Sequence, residues 1–348
     1  MSLLLNSDLE EIIIGLKREI NKFSGKNILI TGARGFLGRY FIDLFSLLNE
    51  KYLSSKINIV GIDNFITAGD FGKEIQDETR YKFIKHNIIH PIKLSYSFDF
   101  IIHAAGIASP YYYKKWPLDA LDVSTVGLRN VLELAEKHTR IIFFSSSEIY
   151  GNPNSENIPT KETYNGNVSC LGPRACYDES KRMGETLIQI YNEKYNVNAS
   201  IIRPFNVYGP GMQKYDYRVL PNFASKIFTG DSLKIYGDGS QTRTFCYVTD
   251  AIIGFLKVLI EGKAAEPYNI GNPTPEVSML DLMKIIEKIL PEHKFKFEIT
   301  DYPESYPADE PMRRCPDISK VQENLDFHPS ISLEEGLKRF FKWAKQNY

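Results

Sequence analysis

The sequence predicts an α/β protein, a doubly wound parallel sheet with a smaller α/β lobe. Three observations predict it. Short apolar runs alternate with helical stretches through residue 203, a glycine-rich turn joins one such run to the helix after it, and beyond Arg203 Gly- and Pro-rich turns surround shorter elements. With 348 residues, 43% of them hydrophobic, the chain can bury one large core or two.

In chain order, Leu9, Ile12, Ile13, Leu16, Ile20 and Phe23 recur at helical spacing, and Ser7 with Glu10 has the form of a capping box. Residues 7–23 are therefore read as one amphipathic helix packed on the main domain. Asn27–Thr31 and Lys56–Ile62 read as strands around a helix from Phe36 to about Asn49, which makes one βαβ unit. Tyr81–Ile84, Asp99–Ala104, Arg140–Ser145 and Val197–Arg203 read as further buried strands, with helices at Pro117–Lys137 and Tyr177–Tyr195 separating the last three. Past them come the turns Tyr208-Gly209-Pro210-Gly211 and Tyr236-Gly237-Asp238-Gly239, then helices at Thr249–Glu261, Ser278–Leu290 and Leu333–Gln346. The expected division is an N-terminal helical extension (1–24), a main domain (25–203, rejoined by about 244–275), a second lobe (204–243 and 276–315) and a C-terminal helical segment (316–348).

Charge and composition exclude several classes. Lys and Arg number 42 against 43 Asp and Glu, so a net charge of −1 leaves no overall basic field for nucleic acid or an anionic membrane surface. No stretch approaches the ~18 apolar residues of a membrane helix, and Asp8, Glu10 and Glu11 interrupt the first apolar residues, unlike a signal peptide. Cys170, Cys176, Cys246 and Cys315 form no C-x-x-C pair and the six histidines do not cluster, which predicts neither a metal site nor a disulfide framework and fits a reducing cytoplasm.

Three motifs carry chemistry. Thr31-Gly32-Ala33-Arg34-Gly35-Phe36-Leu37-Gly38 lies between a predicted strand and helix. Small residues there let backbone approach a pyrophosphate, and the helix N-terminus supplies N–H groups. The next strand runs to Asp63, which can accept both ribose hydroxyls of NAD and would repel a 2′-phosphate. Tyr177 and Lys181 lie one turn apart on a helix, so the ammonium is expected to favour a phenolate base for hydride transfer. Ser145-Ser146-Ser147-Glu148 follows a buried strand, where α/β sheets place their sites.

Ala108-Ser109-Pro110, Ser147-Glu148-Ile149-Tyr150-Gly151, Gly172 to Glu179, Tyr236 to Arg243 and Arg314-Cys315-Pro316-Asp317 then carry a resemblance. From about Lys26 to Lys338 the chain resembles the extended short-chain dehydrogenases/reductases that modify nucleotide sugars, and among them the UDP-glucuronic acid decarboxylases. The resemblance implies a Rossmann-like domain holding NAD through Gly32, Gly35, Phe36, Leu37, Gly38, Asp63, Asn64, Asn87, Ile88, Ala104 and Ala105, with Tyr177 and Lys181 at the reacting end. It implies oxidation of the sugar at C4, with Tyr177 taking the hydroxyl proton and Ser146 at that hydroxyl. Loss of the C6 carboxylate as carbon dioxide follows, beside Ser147 and Glu148. Arg314 would face the sugar carboxylate or diphosphate, and Asn206, Val219, Tyr236, Gln241 and Arg243 would hold the rest of a UDP-linked substrate. It further implies a homodimer built on a four-helix bundle from the helices at 117–137 and 177–195.

Related activities leave different marks. A 4,6-dehydratase usually carries Asp-Glu where this chain has Ser147-Glu148, and a 4-epimerase usually lacks a carboxylate there. An inactive NAD-binding scaffold could share the fold without Tyr177, Lys181 and Glu148. Trp116, Ser124 and Asn87 depart from the decarboxylase pattern, which elsewhere has asparagine, asparagine and aspartate.

Overall fold

The computed structural model describes residues 4–68, 81–293, 296–301 and 311–348. Parts of the 276–315 segment, at 294–295 and 302–310, lie outside the described residues.

The apolar runs form the strands of one parallel sheet. β1 (Asn27–Thr31) lies between β2 (Asn58–Asp63) and β4 (Phe100–His103); β3 (Lys82–Lys85) is outside β2, and β5 (Arg140–Phe144) and β6 (Asn198–Pro204) extend the other side. A seventh strand, β11 (Pro267–Ile270), pairs with β6 as Tyr268↔Ile202 and Asn269↔Arg203. The order β11-β6-β5-β4-β1-β2-β3 reverses direction at β1, so the crevice beyond β1 and β4 is where such a sheet receives a ligand. β1, β4 and β5 read as continuous apolar runs because both faces are covered.

Helices cover the sheet: α2 (Phe36–Lys51), α3 (Pro110–Lys115), α4 (Pro117–Ser124), α5 (Val126–Leu132), α6 (Ala175–Tyr195) and α8 (Val248–Glu261), the last buried along most of its length. Residues 117–137, read as one helix, are two. Thr125 breaks them, its hydroxyl donating back to the Leu121 carbonyl at 2.9 Å, a bond that bends helices.

The N-terminal element also differs from its reading. Helix α1 (Asn6–Leu16) starts ahead of Ser7 with Leu5 at its N-cap and no side-chain cap, so the Ser7–Glu10 capping box does not form; the buried Leu4 docks the entering segment instead. Lys17 (φ 51°) ends the helix, and a 3₁₀ segment (Lys17–Phe23) turns Phe23 onto Phe45 and Phe100, with ring centroids 5.1 and 5.3 Å away. Leu9, Ile12, Ile13 and Leu16 are buried, each worth roughly 1.5–3 kcal/mol. Asp8 is buried among them, accepting from Tyr247 at 2.9 Å and Tyr40 at 3.3 Å.

Between β6 and β11, and again after β11, the chain builds the smaller elements: β7 (Val207–Tyr208) with β10 (Cys246–Tyr247), β8 (Leu233–Tyr236) with β13 (Phe297–Thr300), and β9 (Thr242–Arg243) between β12 (Val277–Ser278) and β14 (Arg313–Arg314). Helices α7 (Val219–Thr229), α9 (Met279–Ile289) and α11 (Leu333–Asn347) pack around them, while α10 (Ser319–Leu325) packs on β11 and α8. The four cysteines are free thiols. Among the described residues no helix is long and apolar enough to cross a membrane, and no cluster of His, Cys, Asp and Glu could hold a metal ion.

Candidate active site

The crevice at the strand ends is lined by Thr31, Gly32, Gly35, Asp63, Asn64, Asn87, Ile88, Ala104 and Ala105. Eight of the residues expected to meet the cofactor, all but Phe36, Leu37, Gly38, Tyr177 and Lys181, are thus brought together there. Its floor is backbone. A Cβ on Gly32 (φ 71°) would lie 2.7 Å from the Ala105 nitrogen, and one on Gly38 would lie 2.0 Å from the Gly32 carbonyl oxygen. The turn therefore packs as only glycine allows and leaves a cradle of dinucleotide kind, with α2 opening at Phe36. Gly38 serves the turn's packing, while Phe36 and Leu37 pack against the core.

Below the turn, Thr31 and the buried His103 lock together. His103 Nε2 donates to the Val123 carbonyl at 3.3 Å, which leaves Nδ1 to accept from the Thr31 hydroxyl at 2.7 Å, and Thr31 Oγ1 accepts from the Ala105 N–H at 3.4 Å. Burial holds His103 down to about 3, with Lys181 adding to it, so the ring stays neutral and this assignment persists. Asp63 is fixed by the N–H groups of Arg34 at 2.8 Å and Phe65 at 2.7 Å, one on each oxygen. Burial raises its pKa although these bonds oppose the shift.

At the reacting end, Tyr177 stacks on Tyr113 (centroids 5.6 Å apart, planes 14°) and Ser146 hydrogen-bonds its hydroxyl. Lys181 Nζ donates to the Phe144 carbonyl at 2.8 Å and lies 5.6 Å from the centre of the Tyr177 ring. The expectation that Lys181 lowers the phenol is not met. Burial pushes Tyr177 up to about 12, and Glu148 and Asp178 add to the rise against Ser146 and Arg218. The physical reason is that Lys181 is itself buried and drawn down to about 7, with its proton engaged by a carbonyl.

Ser146 caps the turn that carries Ser147 and Glu148, its hydroxyl accepting from the Glu148 N–H at 3.2 Å. A buried polar network supports that turn. Ser145 donates to Glu185 at 2.5 Å, Arg203 bridges both Glu185 oxygens at 2.9 and 2.6 Å and donates to Tyr150, and Tyr150 donates to Asn269 on β11 at 2.7 Å. Ser147 is buried in the same turn.

Glu148 is gripped from two sides. Arg314 meets both of its oxygens, one at 2.6 Å, and Arg174 meets the second oxygen as well. Burial works to raise Glu148, but Arg314, Arg174 and Arg243 together outweigh it and hold the carboxyl below its ordinary value. Glu148 is therefore an anion. Arg314, expected to face a substrate, is engaged by Glu148.

The larger cavity, about 340 Å³, opens in front of this cluster. Asn206, Val219, Tyr236, Gln241, Arg243, Arg314, Glu148 and Tyr177, eight of the residues singled out in the sequence, line it together. Asn206 (φ 42°) donates to the Thr244 carbonyl at 2.7 Å, Gln241 to the Tyr236 carbonyl at 3.0 Å, and Arg243 to the Thr242 carbonyl at 2.8 Å. Lys114, Arg174, Arg218, Lys226 and Lys234 also reach the wall, and Glu148 is its only acid among the described residues, a setting for a ligand of several negative charges. The sequence assigns no role to Arg174, Asp178 or Arg218, while the run Tyr111 to Trp116, with Tyr113 in it, is expected to border the substrate pocket. The signal for the first two was present, since both lie inside the Gly172–Glu179 motif.

Residues 28–271 match the NAD dependent epimerase/dehydratase family. UDP-glucuronic acid decarboxylase 1 of Arabidopsis thaliana is 38% identical over 315 residues, covering 90% of this chain and 68% of that protein. UDP-glucuronic acid decarboxylase 6 of the same organism is 38% identical over 317 residues, 90% of this chain and 87% of that one. Among solved structures, a UDP-glucuronic acid 4-epimerase from Bacillus cereus, in complex with UDP-glucuronic acid and NAD, superposes with a TM-score of 0.74 at 27% identity, over 92% of this chain and all of that one. A glycine cradle, a Tyr–Lys helix and a cationic pocket at the switch point of a seven-stranded sheet agree with these likenesses, and the chain belongs to the NAD dependent epimerase/dehydratase family, its curated relatives here being UDP-glucuronic acid decarboxylases.

Proposed function

We propose that the protein decarboxylates UDP-glucuronate to UDP-xylose through a 4-keto intermediate, using NAD. One observation carries the choice among related reactions. Glu148 is the only carboxyl among the described residues lining the substrate cavity, and its arginines keep it ionised. Eliminating water across C5–C6 needs an acid to protonate the departing hydroxide, and an anionic Glu148 with Ser147 beside it supplies none. Loss of carbon dioxide needs only an electron sink, which a ketone at C4, β to the carboxylate, provides.

NAD, held by the Gly32–Gly38 turn and Asp63, would supply hydride acceptance from C4 and hydride donation back to it. Burial raises the Tyr177 phenol, and the positive charge of the oxidised cofactor beside it would favour the phenolate that takes the C4 hydroxyl proton as the C4 hydrogen leaves, with Ser146 fixing the oxygen. Arg314 pairs with the C6 carboxylate and holds it out of the ketone plane. When the C5–C6 bond breaks, its electron pair enters the enolate, C5 takes a proton from water, and Tyr177 gives its proton back to the C4 oxygen as C4 regains a hydride. Asp63 accepts the ribose hydroxyls of NAD and disfavours a 2′-phosphate.

Residues 25–203 and about 244–275 are assigned to the cofactor and 204–243 with 276–315 to the nucleotide sugar, in a cytoplasmic homodimer. Leu118 (74% exposed), Leu121, Met183 and Ile190 on α4 and α6 support the dimer reading, as an apolar face on the two helices expected to form the bundle. The test is incubation with UDP-glucuronate and NAD, with products identified by mass and NMR. UDP-xylose and carbon dioxide are expected. Dehydration of UDP-glucose or dTDP-glucose with no action on UDP-glucuronate, or UDP-galacturonate as sole product, overturns the reading.

A further inference from the structure

The mechanism leaves one buried carboxyl next to the base without a task. Asp178 follows Tyr177 in the first turn of α6 and is 3% exposed. Its Oδ2 accepts from Arg174 Nε at 3.3 Å, and its Oδ1 has no hydrogen-bond partner among the described residues. Arg174 reaches Glu148 with the other end of its guanidinium. Asp178, Arg174, Glu148 and Arg314 thus form one line of alternating charge from the helix to β14.

The two arginines on Glu148 are mounted differently. Arg314 sits on a two-residue strand of the smaller lobe, at the cavity wall. Arg174 sits at the N-cap of the 21-residue α6 and is held from behind by a carboxylate. A substrate carboxylate competes with Glu148 for Arg314. Were Arg174 to follow, Glu148 would be left as a buried, unpaired charge, which is strongly unfavourable.

Resting on the decarboxylase reading above, we propose that Asp178 is a positioning residue: through Arg174 it keeps the Glu148 carboxylate in place while Arg314 turns to the carboxylate of the substrate. Around Asp178 stand Arg174 and Tyr177 from its own helix, Glu148 from the turn after β5 and Arg314 from β14. Arg182, one turn along α6, is directed to the Ile149 and Asn165 carbonyls and to Glu179. Burial, with Glu148 adding to it, raises Asp178 to about 7 against the pull of Arg174. Its hold on Arg174 therefore strengthens as pH rises through that value, and kcat rises with it.

The test compares Asp178→Ala and Asp178→Asn with the parent, using UDP-glucuronate and NAD. Asp178→Ala is expected to lower kcat by about 10²-fold, the scale of a misplaced group in an active site, with KM and NAD affinity within about twofold. Asp178→Asn keeps an acceptor for Arg174 Nε, so most of kcat returns, but the rise through neutral pH is lost. A kcat for Asp178→Ala within a few-fold of the parent, or KM and NAD affinity falling in step with kcat, overturns the proposal. Should the alanine variant not fold, an unchanged pH profile in Asp178→Asn overturns it by itself. Carboxyl ¹³C NMR of aspartate-labelled protein without substrate separates this from the reaction assignment. A resonance titrating near neutrality that vanishes in Asp178→Asn and moves down in Glu148→Gln supports the link, and its absence refutes it. Failure of the parent to release carbon dioxide refutes the decarboxylase reading instead.

Discussion

The cofactor crevice meets its ligand with backbone, whereas the substrate cavity meets its own with charged side chains from distant segments. In the crevice, Gly32 and Gly38 belong to one turn, Asp63 ends the neighbouring strand, and backbone N–H groups fix its carboxylate. In the cavity, Glu148 is bonded to Arg174, 26 residues away, and to Arg314, 166 away. A backbone site is local and rigid, and it tolerates no added atom. A side-chain cluster is assembled by the fold and can exchange partners, which a reaction that moves charge requires.

The largest expected effect tests the rigid half. In Gly38→Ala the new methyl meets a carbonyl oxygen with no room to shift, so NAD binding by calorimetry should be abolished and stability should fall by about 1–3 kcal/mol, as overpacking does. NAD affinity near the parent's would show that the cradle yields. Next is the group that joins the two sites. Tyr177→Phe deletes one oxygen and should cut turnover by ~10²–10⁴-fold while leaving NAD binding nearly intact. Turnover within a few-fold of the parent would remove Tyr177 as the base.

Arg314→Ala tests the exchangeable half. Decarboxylation should fall by roughly 10²–10³-fold, the scale for one lost charge-stabilising donor, with NAD affinity unchanged. Equal loss of both would mean that the two sites are not separable. The smallest effect lies away from either site. Burial raises Asp8 to about 6 from 3.8, so the folded protein binds the extra proton between about pH 4 and 6, and that contribution to stability, complete below pH 4, disappears as pH rises through 6. Asp8→Asn should flatten this decline, leaving the variant's stability on the order of 2 kcal/mol less pH-dependent across the window in denaturant titrations. An unchanged slope would place the titration elsewhere.

What could be read from the sequence follows the same division. The glycine turn, Asp63 and the Tyr177–Lys181 pair are each specified within a few residues, and six strands of the sheet announce themselves as apolar runs. β11 escaped because Pro267-Tyr268-Asn269-Ile270 is short, opens on proline and places a buried Asn269 in the sheet. Helix α7 escaped because Pro221 reads as a breaker, although proline is tolerated in a first turn. The Ser7 cap failed since burial of Leu4 outranked a local hydrogen bond. The pairing of Arg314 with Glu148, and the raised phenol of Tyr177, depend on burial and on contacts between distant segments, neither of which any local pattern encodes.

The pairing of β11 with β6 bears on how such a protein changes its diet. These strands are neighbours, yet β7, β8, β9, β10, α7 and α8 lie between them in the chain. The two are parallel, with Pro204 opposite Ile270 and Pro267 opposite Ile201, so the excursion leaves at one end of the pair and re-enters at the other as a crossover that ends in α8, packed on β5, β6 and β11. The part that can vary lies ahead of α8: β7 and β10 run side by side, Val207 opposite Cys246 and Tyr208 opposite Tyr247, so chain that leaves after β7 returns to its neighbour before α8 begins. Much of the cavity wall, from Val219 to Arg243, lies in that segment. Grafting a different excursion between Tyr208 and Cys246 would present another ligand to the same glycine cradle and the same Tyr177 and would leave α8 on the sheet.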